Sequence, residues 1–209
     1  MWRDRALREN DAMTSMRAGA TVCGLAAIAL AAGAGMAAAR EPKSFYTTID
    51  LGTCRIIHRH GDGNTWSCKG LPGYPVIYGE GDLRAFVSVG NHTLKQKRKA
   101  QEQTLGPFNT IFQGKSRRAT LEWRVHSDGD KKIPHATILR YFTRNDTSRG
   151  EVLVIMHVDE RETCQAGIID ALAEPEPIAL ARQVADGAAR TFSCKDDPVV
   201  HGSRGKSPF

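Results

Sequence analysis

Apolar and polar positions alternate with period two in several segments of the chain, and that period predicts strands. "SFYTTIDLGTCRIIHRH" and "NTWSCKG" flank "GDGN", and the β-branched and aromatic residues around Gly-Asp-Gly predict a hairpin. A turn centred near Asp62 sets Cys54 within a residue or two of opposite Cys68, so one bulge brings the pair into disulfide range. Pro72-Gly73 marks the next turn, and Pro75 suits an edge or a strand start. Leu83, Ala85, Val87 and Val89 then alternate with Arg84, Phe86 and Ser88, the pattern of a half-buried strand. The "YGEGDLR" stretch before it lacks a following helix and so predicts a bulge or turn exposing Glu80 and Asp82, not a phosphate loop.

The second half predicts a meander of "ATLEWRVH", "PHATILRYFTRN", "EVLVIMHVDE" and "TCQAGIIDA". Leu121, Trp123 and Val125 share one strand face, and the nearly unbroken apolar run from Val152 to Val158 predicts a central strand buried on both sides. Two segments depart from period two. "TLKQKRKAQEQTL", from Thr93, predicts a helix anchored only by Leu94, Ala100 and Leu105 and stopped by Gly106-Pro107. "EPEPIALARQVADGAARTF" predicts a second, with Pro177 in its first turn and Leu180, Ala181, Val184, Ala188 and Phe192 as its apolar stripe. The expected fold class is therefore α+β: a mostly antiparallel sheet meander with an N-terminal disulfide hairpin and two helices packed on the sheet.

Composition changes the picture at the N-terminus. Ala18 to Ala39 carries no charge, follows Arg17 and ends in Ala37-Ala38-Ala39, the pattern of a secretory signal peptide and its cleavage site. Met13 or Met16 gives a more conventional start than Met1, because the longer leader contains Asp4, Glu9 and Asp11. The rival is a retained anchor, for which Val22, Leu25, Ile28 and Leu30 are the only strongly apolar aliphatics. The expected organisation is a signal peptide over 1–39, a single α+β domain over 40–195 and a disordered tail over 196–209.

Removing the leader also removes Cys23. The remaining Cys54, Cys68, Cys164 and Cys194 are even in number, which in an exported chain suggests disulfides, with sequence-local pairing the preferred one of three connectivities. The compartment implied is the periplasm or the exterior.

The mature chain keeps 25 basic against 20 acidic side chains, and the surplus is concentrated. Between Asn91 and Arg118, Lys95, Lys97, Arg98, Lys99, Lys115, Arg117 and Arg118 face Glu102 alone. Gathered like charge of this kind serves either as a solvated face or as a binding patch for lipid phosphates, acidic polysaccharide or an acidic envelope protein. Nucleic acid fits less well, since Phe108 and Phe112 are too few for a base-stacking platform.

The "YTTIDLGTCRIIHRHGDGNTWSCKGLPGYPVIYGEGDLRAFVSVG" stretch, with "EQTLGPFNTI", "TLEWRV", "ATILRYFT" and "ALARQVADGAARTFSC", resembles a family of uncharacterised exported proteins from alphaproteobacteria. The resemblance covers nearly all of the mature chain and brings no established activity, cofactor or site residue. It implies an exported, disulfide-bonded, single-domain protein.

Specific chemistry is sparse. His58 and His60 share a strand face near Asp62 and could ligate zinc or copper, but a hairpin with exposed histidines accounts for the same residues. The sequence has no G-x-S-x-G elbow, H-E-x-x-H pair or Walker-type loop, and no cofactor is implied. The leading expectation is an exported non-enzymatic binding module using the basic patch for an anionic partner. Two alternatives stand beside it. One is an inhibitor of a secreted hydrolase that inserts the segment Leu71 to Gly81. The other is a small hydrolase or metal-dependent enzyme built on His126, His135 or His157, near Glu122, Arg140 and Asp159.

Overall fold

The computed structural model describes residues 41–90, 105–106, 108–128 and 130–209. Two sheets carry the fold. The smaller has four antiparallel strands in the order β2 (Arg55–His60), β3 (Gly63–Leu71), β4 (Tyr74–Gly81) and β5 (Arg84–Val89). The larger has seven, in the order β1 (Lys43–Asp50), β7 (Arg118–Asp128), β8 (Lys131–Arg144), β9 (Arg149–Val158), β10 (Thr163–Asp170) and β11 (Val199–Val200), with β6 (Phe108–Thr110) also paired to β8. Among the described residues there is one α-helix, α1 (Pro177–Asp186), which is followed by a 3-10 turn at Ala188–Thr191 and lies on the outer face of the large sheet.

This overturns the expected α+β class: the protein is a mostly β, two-sheet structure. Period two identifies a strand and its buried face but not the sheet that receives it, and the first four hairpin-connected strands after β1 close on one another. The helix expected from Thr93 lies outside the described residues.

The main core sits between the sheets. Trp66, Val76, Tyr78, Val87 and Val89 from the small sheet meet Leu121, Trp123, Val125, Leu139, Tyr141 and Val154 from the large one. Trp123 is fully buried and donates its indole N–H to Thr47 Oγ1 at 2.8 Å, which satisfies its polar atom. The central strand expected at Val152–Val158 is β9, buried on both faces between β8 and β10. On the outer face, Ile138, Leu153, Ile155 and Ile169 pack against Ala181, Val184 and Ala185 of α1. Backbone geometry changes at Gly187, so Ala189 and not Ala188 continues the buried stripe.

Two disulfides staple the ends of this arrangement. Cys54 joins Cys68 across the first hairpin, where a register shift between Ile56 and His58 supplies the bulge, and Cys164 at the start of β10 joins Cys194 after the 3-10 turn. The tail expected to be disordered is instead built into the fold. Val199 and Val200 pair in parallel with Gly167 and Ile168, the His201 N–H donates to Ile168 O at 2.9 Å, and Ser207 is buried. Its anchor is Asp170, whose carboxylate accepts from Ser207 Oγ at 2.6 Å and from the N–H groups of Lys206 and Ser207 at 2.8 and 2.9 Å. A polar tail can therefore order without an apolar stripe, because a buried carboxylate needs its donors.

Candidate functional site: a cleft between the sheets

The loop joining β8 to β9 is "NDTS", and Asn145 organises it. Its side-chain oxygen accepts from the N–H of Thr147 at 3.0 Å and of Ser148 at 2.8 Å, while its own N–H donates to Ser148 O at 3.0 Å. The turn holds Arg144 and Arg149 directly opposite each other. Phe108 of β6 pairs with Arg144 on its other side, and the guanidinium lies 4.8 Å from the ring centroid.

These arginines line one wall of a cleft of about 760 Å³ whose other wall is the β4–β5 hairpin. Asp62, Glu80, Leu83 and Arg84 line it from the small-sheet side, and Phe142, Glu151 and Leu172 from the large. Arg84 is paired with Asp82, and Glu151 accepts from Arg140 at 2.5 Å. Among the described residues, Arg144 and Arg149 form no ion pair; in the same lining, three guanidinium groups (Arg84, Arg144, Arg149) stand with three carboxylates (Asp62, Glu80, Glu151). Tyr78 donates to Glu80 Oε2 at 2.7 Å. Burial, together with that hydrogen bond, pushes the Tyr78 hydroxyl well above its ordinary pKa, against a smaller downward pull from Arg117.

Arg117 and Lys115 are exposed in the loop before β7, beside Gln113 and Gly114, which line the cleft themselves. Arg118, the third described member of the expected patch, is neutralised by Asp50 at 2.8 Å. Lys95, Lys97, Arg98 and Lys99 lie outside the described residues. Sequence reading missed Arg84, Arg144 and Arg149. The usable signal was local: Arg144 and Arg149 bracket a turn-forming tetrapeptide, and a four-residue hairpin loop sets its flanking residues side by side.

The strand histidines have other roles. His157 is buried and its Nδ1 lies 2.8 Å from Ala189 O, which ties β9 to the 3-10 turn. His135 Nε2 lies 3.2 Å from Asp186 Oδ1, a carboxylate that sequence reading did not name. Burial lowers the pKa of His135 more than Asp186 raises it, and in its neutral form the ring donates its Nε2 proton to Asp186, since a carboxylate only accepts. Its Nδ1 atom is buried and has no hydrogen-bond partner among the described residues, and the His135 and His126 ring centroids stand 5.8 Å apart.

Asp186 belongs to a network fastening α1 to the sheet. Arg124 grips it twice, Nε to Oδ1 at 2.9 Å and Nη2 to Oδ2 at 2.6 Å, and also donates to Ser44 Oγ at 2.5 Å. Arg182 of α1 donates to Glu122 at 2.7 and 3.2 Å and to Tyr46 Oη at 3.0 Å. Glu122, Arg124 and His135 are each less than 10% exposed. Arg182 and Glu122, with Tyr46 and Arg140, also border a second cleft of about 460 Å³ on the outer sheet face. Neither cleft is lined by a histidine.

On the first hairpin, His60 Nδ1 pairs with Asp62 Oδ1 at 2.9 Å and the His58 and His60 rings stand 5.7 Å apart. Among the described residues no three potential ligands gather as a metal site would require. The segment Leu71 to Gly81, expected as an exposed inhibitory loop, is a tight turn followed by β4, an interior strand with Val76 to Gly79 buried. Among the described residues, no helix is long and apolar enough to cross a membrane. No family model matches the chain, and no curated protein or solved structure matches it either.

Proposed function

We propose that this chain is an exported, non-enzymatic binding module, of the alphaproteobacterial type its sequence resembles, that takes an anionic partner on the surface around the intersheet cleft. The observation that carries the reading is the cross-strand pair Arg144 and Arg149, set by a rigid turn and free of ion pairs among the described residues. Preorganised guanidinium groups bind carboxylates or phosphates at lower entropic cost than mobile ones. Lys115 and Arg117 extend the same positive field, and charge concentrated there steers anions and gives a salt-dependent association. The periplasm or exterior suits two disulfides closed at ordinary separations.

The test is a set of binding isotherms for the mature chain with poly-L-glutamate, polyuronate and phosphatidylglycerol vesicles at low and high salt. Binding to at least one polyanion is expected, weakening as salt rises and falling on the order of tenfold in the Arg144→Glu, Arg149→Glu double variant. Absence of binding to all three, or affinity indifferent to salt, overturns the reading.

A further inference from the structure

The cleft is amphipathic, and its apolar part is unusual for this molecule. Among the described residues four large apolar side chains are exposed, and two of them, Leu83 at 62% and Leu172 at 43%, line this one cleft. Leu83 is also held in a backbone conformation that leucine avoids. Asp82 and Leu83 form the two-residue turn between β4 and β5 with φ of 49° and 60°, where the second position ordinarily takes glycine.

The surroundings enforce that conformation. Leu83 O accepts from the Asn109 N–H at 3.1 Å, and the Asn109 side chain accepts from Ala85 N–H at 3.0 Å and donates to Leu105 O at 2.6 Å. A strained, exposed leucine fixed at the rim of a cleft signals a contact surface, because neither packing nor backbone preference explains it.

We propose that the cleft binds an extended peptide segment of a protein partner in which acidic side chains alternate with apolar ones. The inference rests on the anion-binding reading above and names the partner class. Arg144 and Arg149 receive the carboxylates, Leu83 and Leu172 receive the apolar side chains, and the carboxylate of Glu80 faces the same space as an acceptor for peptide N–H groups. Charge complementarity separates this occupant from the others. The two arginines free of ion pairs call for carboxylates and the two leucines for apolar side chains at the same time; a polyuronate offers nothing to the leucines, and a planar lipid surface cannot enter a recess walled by two hairpins. The cleft volume, about 760 Å³, suits a short stretch of chain.

The experiment measures fluorescence anisotropy of the mature protein with three labelled probes: a short peptide alternating glutamate and leucine, its glutamine-for-glutamate counterpart, and poly-L-glutamate. The first is expected to bind on the order of tenfold tighter than either other probe. Leu83→Gly, which suits the turn and so preserves the fold, is expected to weaken that peptide on the order of tenfold while leaving poly-L-glutamate unchanged. If the alternating peptide binds no tighter than poly-L-glutamate, or if Leu83→Gly leaves its affinity unchanged, the peptide assignment fails while anion binding survives. If none of the three probes binds, and no polyanion does, both readings fall.

Discussion

Asp186, the last residue of α1, accepts two parallel hydrogen bonds from the buried guanidinium of Arg124 on β7. This bidentate pair, with His135 as third partner, fixes where the helix ends against the sheet. Removing the carboxylate takes the bidentate partner from a cation that is less than 10% exposed and leaves it Glu122 at 3.9 Å as its counter-charge. Asp186→Asn is therefore expected to destabilise the fold by about 3 kcal/mol, read from urea unfolding midpoints at constant slope. A change under about 1 kcal/mol contradicts the pair's role.

Acid should weaken the protein in two stages. Burial holds the pKa of His135 below its ordinary 6.5, so the unfolded chain binds a proton there more readily than the folded one. Its contribution is complete above pH 6.5 and is lost as pH falls through the lower folded value. For Asp170 and Asp186 burial alone raises the pKa, but hydrogen bonds from Ser207 and from Arg124, respectively with their neighbours, outweigh it and hold both below 3.8. Their contribution is complete above pH 3.8 and disappears below it. Melting temperatures recorded from pH 8 to pH 2 should show both losses, and His135→Gln should shrink the first, leaving the part due to His201, whose pKa burial also lowers.

The two disulfides close loops with sequence separations of 14 and 30 residues. Loop-entropy reasoning gives about 3 kcal/mol for the first and about 3.7 kcal/mol for the second. The Cys164→Ser, Cys194→Ser variant is expected to lose the more stability in denaturant titrations, because it also frees the 3-10 turn and the tail beyond it. Equal or reversed losses contradict this order.

Leu83→Gly should raise stability by about 1 kcal/mol, since glycine accepts a φ of 60° that leucine resists. Most exposed leucine-to-glycine changes act in the opposite sense. Differential scanning calorimetry gives the sign directly.

Gly150→Ala should dislodge the C-terminal segment. A Cβ there would meet Ser207 Cα at 2.6 Å and Pro208 Cδ at 2.7 Å, closer than backbone and ring atoms can yield. Hydrogen exchange is expected to accelerate at residues 199–207 while β8 and β9 stay protected. Unchanged protection in the tail contradicts its docking against Gly150.

The parts of the fold legible in the sequence were those written in contiguous residues. β9 announced itself by unbroken apolar character, the first hairpin by its glycine turn and flanking cysteines, and α1 by Pro177 and a periodic stripe. The division into two sheets was not legible, because Ala85, Val87 and Val89 recur at every second position in the same way as Leu121, Trp123 and Val125, while the two sets belong to opposite layers of one core. Long-range polar pairing was equally hidden. Nothing near Ser207 or Asp170 in sequence reveals that each satisfies the other. The basic surface was legible as a local excess of lysine and arginine, but its described cleft draws on Arg84, Arg144 and Arg149, which charge counting along the chain left scattered.

The docked tail bears on the timing of folding. Asp170 lies buried in β10, yet its donors stand 36 and 37 positions further along the chain. Until synthesis reaches them, that carboxylate has only part of its solvation replaced and β10 lacks its outer neighbour. A polypeptide arranged in this way completes its large sheet only once its last residues are available.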